Sequence, residues 1–388
     1  MMFRPRCGLR QKFVYVILKS ILYSSWLLGI FPFKYEPKKK RLRRSMWLIL
    51  FGIAMSSSLL ILMVKQSVED QEHGIRLDVF QRNSLLHQIS SLMGVVGVVT
   101  ICTVHMRTLW RSKHLEEIYN GLMLLEAKYF CSDAVECPAF DDYVIQKGVL
   151  IVVGLLAPWM VHFGMPDSKL PVLNVLVVSM VKLGTLLLAI HYHLGVVIIY
   201  RFVWLINGEL LSLVCSLRGN HKGSSSRVRF LLKLYTNLVN LYSRLADCYD
   251  CQTVLMMAVF LAANIIVCFY MIVYRISLSK MSFFVMLIMF PLALANNFMD
   301  FWLSIKVCDL LQKTGRQTSM ILKLFSDIEN MDKDLERSIS DFALYCSHRR
   351  FKFLHCGLFH VNREMGFEMF VASVLYLLYL VQFDYMNL

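Results

Sequence analysis

The stretch CGLFHVNREMGFEMFVASVLYLLYLVQF, residues 356–383, decides how the chain is read. It sets His360, Asn362, Arg363, Glu364 and Glu368 just ahead of a membrane-like apolar run, and only five residues follow. On a helix, Glu368, Ala372, Leu375, Tyr379 and Gln382 recur with 4,3,4,3 spacing and share one face. Repeated around an axis, that face makes an acidic ring, a hydrophobic constriction that gates by dewetting, and a polar mouth. In a monomer, Glu368 simply favours the helix N-terminus or pairs with Arg363, and Gln382 means little. The spacing alone admits both readings.

The rest of the chain is equally apolar. Of its 388 residues 57% are hydrophobic and 18% charged, which points away from a soluble domain and toward a multi-pass membrane protein. Residues 46–64, 85–104, 149–165, 170–192, 253–274 and 281–305 each approach the length a bilayer core requires, and 367–383 makes a seventh span. The fold class expected is all-α, with seven transmembrane helices.

Lys and Arg fix the expected orientation, because cytosolic segments retain them. With the N-terminus inside, 34 of the 41 fall in segments 1–45, 105–148, 193–252 and 306–366, and 6 fall outside. Lys182 lies within a span. The amino end is therefore expected in the cytosol and the tail 384–388 outside, the reverse of G-protein-coupled receptors. None of the eleven cysteines falls in an outside segment, so no extracellular disulfide is expected. The net charge of +14 follows from the same topology and does not indicate nucleic-acid binding.

Residues 13–33 read as a retained interfacial or dipping helix, with the basic run 38–44 lying against anionic lipid. Two inside segments carry helical stripes. Leu231, Tyr235, Leu238, Tyr242 and Leu245 form one; Ile321, Leu324, Ile328, Met331, Leu335, Ile339 and Phe342 form the other. Both predict membrane helices prolonged into a cytosolic anchor and packed on one another or on a neighbouring subunit. The chain divides accordingly: 1–45 with the interfacial helix, 46–192 with spans one to four, 193–252 as a helical connection, 253–305 with spans five and six, 306–366 as anchor helices and turn, and 367–383 as the last span.

Candidate chemistry is sparse. Cys248 and Cys251 form a lone CxxC with no second pair at metal spacing, and no nucleophile elbow, phosphate loop or zinc-protease helix is present. Neither a metal, a cofactor nor an enzymatic activity is expected. Lys182 costs about 2.5–3.5 kcal/mol inside a span and so nominates a polar ligand cavity, with Trp159 and His162 as neighbours, or else it snorkels or pairs with Asp300 or an Asn of the sixth span. Pro291, Asn296, Asn297 and Asp300 give the sixth span a kinked polar half suited to helix contacts or a water-lined conduit.

The residues Tyr376, Gln382 and Phe383, preceded by Gly357, Phe359, Asn362 and Arg363, resemble the carboxyl-terminal motif of insect gustatory receptors. That motif is Thr-Tyr, five apolar residues and Gln-Phe, after a Gly-x-Phe-x-x-Asn/Asp-Arg turn; Leu375 stands here where the family has threonine. The amino end resembles fly receptors linked to bitter detection. The resemblance implies a homo- or hetero-tetrameric, tastant-gated, nonselective cation channel of the plasma membrane of gustatory neurons. It also implies an outward-opening ligand pocket among the earlier spans. Tyr379 would lie at the gate and Gln382 at the outer mouth, with Tyr376 and Phe383 packing or flanking. A seven-helix receptor signalling through a cytosolic partner is the alternative, and a multi-pass membrane enzyme the third.

Overall fold

A computed structural model describes residues 8–36, 39, 41–72, 84–130, 137–164, 172–219, 225–277, 288, 290–328, 331–355 and 359–386. The order is α1 (Leu9–Leu27), a hairpin of β1 (Phe33–Glu36) and β2 (Arg41–Arg44), α2 (Met46–Glu72), α3 (Ser84–Trp110), α4 (Ser112–Tyr129) and α5 (Pro138–Gly164). There follow α6 (Val172–Arg218), α7 (Ser225–Ser277), α8 (Phe290–Lys323) and α9 (Lys333–His348). A two-residue hairpin, β3 (Leu354–His355) and β4 (Phe359–His360), leads into α10 (Arg363–Met386).

The seven apolar stretches fall on α2, α3, α5, α6, α7, α8 and α10; residues 165, 170, 171, 281–287 and 289 of those stretches lie outside the described residues. Among the described residues, three helices are long and apolar enough by composition to cross a membrane: α6, the 225–269 part of α7, and α10. Shorter apolar stretches lie in α2 (Met46–Leu62) and α3 (Gly94–Trp110).

At 47 and 53 residues, α6 and α7 run about 70–80 Å, more than twice a bilayer core. The larger of two buried clusters among the described residues runs along these two helices; the smaller gathers Val104, Ile151, Leu186 to Leu188 and Ile190. The stripe Leu231, Tyr235, Leu238, Tyr242 and Leu245 is buried throughout, against Phe202, Ile206 and Leu210 of α6, Leu311 of α8 and Phe342 of α9 in one continuous cluster. The second stripe departs from its sequence reading, because it is divided between two helices. The helix ends at Lys323, residues 324–327 form a turn, and α9 begins at Lys333. The break folds α9 back so that Leu335, Ile339 and Phe342 meet α7 and α8.

Two elements had no sequence signal. The connection 105–148 carries α4, whose Asn120 accepts a hydrogen bond from the Leu42 amide (2.7 Å) and donates one to the Leu42 carbonyl (2.9 Å). The basic run 38–44 is thereby partly a strand, with Arg41 and Arg43 beside Glu36 and only Leu42 turned inward. Residues 13–27 of the amino-terminal apolar stretch lie in α1, which buries Val14, Leu18, Ile21 and Ser25 against α5 and α6.

Polar side chains join the helices where water is absent. Asn207 of α6 donates to the Thr314 carbonyl (3.0 Å) and accepts from the Thr318 hydroxyl (2.7 Å). Lys147 of α5, fully buried, meets Asp300 of α8 at 2.6 Å. Asp300 is therefore engaged by Lys147 and not by Lys182, and Asn297 donates to Asn264 at 3.0 Å. Asp300 and Asn297 of the sixth span's polar half thus serve helix contacts.

Removing one partner of a buried ion pair strands the other charge, at about 3–5 kcal/mol, whereas replacing both with apolar groups costs little. Lys147→Met is therefore expected to lower thermal stability sharply in detergent, and Lys147→Met/Asp300→Leu to recover most of the loss. Equal melting of Lys147→Met and the unaltered protein would contradict the pairing.

Candidate functional site: the last helix and its root

Three features fix the base of α10. Asn362 sits at its N-cap, and its side-chain oxygen accepts the Met365 amide at 2.8 Å, satisfying one of the donors a helix start leaves open. Arg363 forms an ion pair with Asp309 of α8 (2.9 Å), and Lys313 meets the same carboxylate oxygen at 3.0 Å. Gly366 lies against α8 so closely that a Cβ there would fall 2.7 Å from Ile305 Cδ1 and 3.2 Å from the Trp302 ring. A helix interior disfavours glycine, so the close crossing is the physical reason for it.

Above this root α10 is held from one side. Phe370, Ser373, Val374 and Leu377 line a cavity of about 290 Å³ against Asn264 of α7 and Phe298 of α8. Phe370 and Phe298 meet edge-on at 5.5 Å between centroids. With about 100° of turn per residue, the face carrying Glu368, Ala372, Leu375, Tyr379 and Gln382 points diametrically away from that packed face. Leu375 and Tyr379 are 61% and 63% exposed, and only 6% of the apolar window of α10 is buried, against 39% for α6. Such a surface needs lipid or another subunit against it.

The candidate residues fall as follows. Glu368, Leu375, Tyr379 and Gln382 share the uncovered face, and Glu368 has no ion-pair partner among the described residues, since Arg363 is taken by Asp309. Tyr376 is also exposed; the Tyr379 and Phe383 rings lie 6.4 Å apart one turn from each other. Gly357 and the Phe359 side chain lie outside the described residues, as does the side chain of His162. Lys182 of α6 is half-buried with no ion-pair partner among the described residues, and Trp159 of α5 is half-buried. A separate cavity of about 130 Å³ between α2, α3 and α6 includes Ser56 and His105, bonded at 2.9 Å, with Met180 and Gly184 on the α6 side.

The CxxC pair holds two free thiols, Cys248 buried and Cys251 half-buried, and burial pushes the Cys248 thiol up, away from reactivity. No three His, Cys, Asp or Glu side chains converge as metal ligands among the described residues. Sequence reasoning missed Asp309, which long-range packing alone brings to Arg363. Two local signals were there to use: Asn362 ahead of a helical apolar run is an N-cap, and Gly366 inside the same helix marks a close approach.

Comparison with known proteins bears on this geometry. The family described as 7tm Chemosensory receptor matches residues 18–387. The chain is 94% identical to gustatory receptor 22d of Drosophila melanogaster over the whole of both chains. It is 44% identical, again over the whole of both, to the Drosophila melanogaster gustatory receptor for bitter taste 22e. Among solved structures it superposes on the insect olfactory receptor OR5 from Machilis hrabei, determined with eugenol, at a TM-score of 0.65 and 13% identity; the match covers 95% of this chain and 99% of that one.

Removal of the cap should be measurable by itself. Asn362→Ala is expected to destabilise the protein by about 1 kcal/mol and Asn362→Ser to retain most of it. Arg363→Gln removes an exposed guanidinium from Asp309, which keeps Lys313, and is expected to cost about 1 kcal/mol. Thermal unfolding monitored by size-exclusion fluorescence checks the order, and an Asn362→Ala protein as stable as the unaltered one would contradict the cap.

Proposed function

The chain belongs to the 7tm chemosensory receptor family, as a gustatory receptor, and from that premise we propose that it is a subunit of a tastant-gated, nonselective cation channel whose pore is lined by α10. The family is one of receptors, not enzymes, and the chain is a membrane protein. The observation that carries the channel reading is the disposition of α10. One face packs on α7 and α8, while the opposite face presents an acid with no ion-pair partner among the described residues, a run of small and bulky apolar groups, and an amide in order along the axis.

Around an axis of four subunits, Glu368 concentrates cations at the inner end, Leu375 and Tyr379 close the path, and Gln382 forms the outer mouth. Tyr376 and Phe383 flank the gate. The amino end lies in the cytosol, a placement supported by the concentration of Lys and Arg in the segments on that side. The extended ends of α6, α7 and α8, with α9, then make a cytosolic anchor.

A small tastant enters from outside among spans two to six, with Lys182, Trp159 and His162 the residues nominated to meet it. Lys182 has no ion-pair partner among the described residues, in keeping with that role. The ligand opens the gate only by binding the open arrangement more tightly, and moving the equilibrium from mostly closed to mostly open takes about 10⁴-fold preference. Bitter or aversive compounds are the proposed class, supported by the 44% identity to a receptor named for bitter taste. The protein then acts in the plasma membrane of gustatory neurons, alone or with related subunits.

Whole-cell recording tests the assignment. Glu368→Gln is expected to reduce unitary cation conductance, and Tyr379→Ala to raise resting leak. Responses to ligand that persist with neither property altered would favour a receptor signalling through a cytosolic partner.

A further inference from the structure

Beside the root of α10 lies a second cavity that the channel reading leaves without a role. It occupies about 530 Å³ between α8, the end of α9 and the segments 350–353 and 360–362. Its charged lining is entirely basic: Arg316 of α8, Arg350 and Lys352 beyond α9, with His360 of β4 alongside. Gln312 and Asn362 add neutral amides; the Asn362 oxygen is already used by the Met365 amide, so its amide nitrogen remains as a donor.

The lining carries no compensating acid. Several exposed cations elsewhere do have one: Arg227 with Glu209, Arg244 with Glu117, Arg10 with Asp142, Arg363 with Asp309. Among the described residues Arg316, Arg350 and Lys352 have no carboxylate partner, and no acid joins the lining. Neighbouring like charges repel, and an anion between them relieves that cost.

The backbone explains why they converge. Residues 351–353 alternate as a strand does, with Phe351 and Phe353 buried against Tyr242 at 5.4 and 4.8 Å and Lys352 turned outward; the Lys352 carbonyl accepts the Tyr242 hydroxyl at 2.9 Å. Gly315 admits Phe351, since a Cβ there would lie 2.8 Å from that ring. The cations are thus displayed on a fixed frame.

We propose that this cavity binds a compact anion carrying at least two phosphates on a polyol, of the inositol polyphosphate or phosphoinositide headgroup type. Each phosphate monoester brings about −1.5 to −2 charge, so two balance the three permanent cations with His360 as a further donor. The volume lies in the range of small-molecule sites. Phe351 and Phe353 are buried and offer no open ring face to a base, which sets a polyol above a nucleotide. Because Asn362 both lines the cavity and caps α10, occupancy stiffens the start of that helix.

That the ligand comes from the cytosol rests on the proposed orientation; the binding itself does not, and a binding assay reads no current, so its failure is distinct from failure of the channel reading. The full-length protein in nanodiscs lacking phosphoinositides is titrated with inositol hexakisphosphate, with inorganic phosphate and ATP as comparisons. Saturable binding that weakens with salt, and a raised melting temperature, are expected, with inorganic phosphate and ATP binding more weakly. Arg350→Gln and Lys352→Gln are each expected to weaken it about tenfold or more, while Arg227→Gln leaves it unchanged. If hexakisphosphate binds and phosphatidylinositol bisphosphate in the nanodisc does not compete, the source is soluble; competition assigns a lipid headgroup. No binding at low salt, unaltered affinity in both variants, or ATP bound as tightly as hexakisphosphate overturns the proposal.

Discussion

At 53 residues α7 is more than twice the length a bilayer core requires, and the apolar stripe on its amino-terminal half is covered by protein. Tyr235, Leu238, Tyr242 and Leu245 lie in the stretch of α7 nearer the basic loops, and each is buried against α6, α8 or α9. At about 1.5–3 kcal/mol for each large side chain taken fully out of water, this cluster contributes substantially to stability. The α9 fold-back and the buried rings of Phe351 and Phe353 cover that stripe.

The last helix inherits its position from the same packing but contributes little to it. Its root is fastened at Asn362, Arg363 and Gly366, its middle leans on α7 and α8, and its remaining surface is uncovered. The Arg363–Asp309 pair at that root joins an exposed guanidinium to a carboxylate that is 13% exposed and also meets Lys313.

Much of this was legible in the sequence, for reasons of period. Stripes of 3.6 and apolar runs near 20 residues are local signals, and they located the long helices and the buried stripe of α7. What escaped depends on contacts far apart in the chain. Nothing near Lys147 indicates that it is fully buried on Asp300, and nothing near Leu42 announces the Asn120 amide that clamps its strand. The break after Lys323 was hidden because the stripe keeps its phase across the turn, so periodicity registered one helix where there are two. The family motif is explained only once folded: Asn362 caps, and Arg363 latches.

The most direct measurement is the symmetry of the purified protein in nanodiscs, by single-particle imaging with a label at Tyr385 on the exposed end of α10. A fourfold particle with the four labels clustered about its axis is the expected result. A monomer, or an assembly with those labels at its periphery, would contradict a pore lined by Glu368, Leu375, Tyr379 and Gln382.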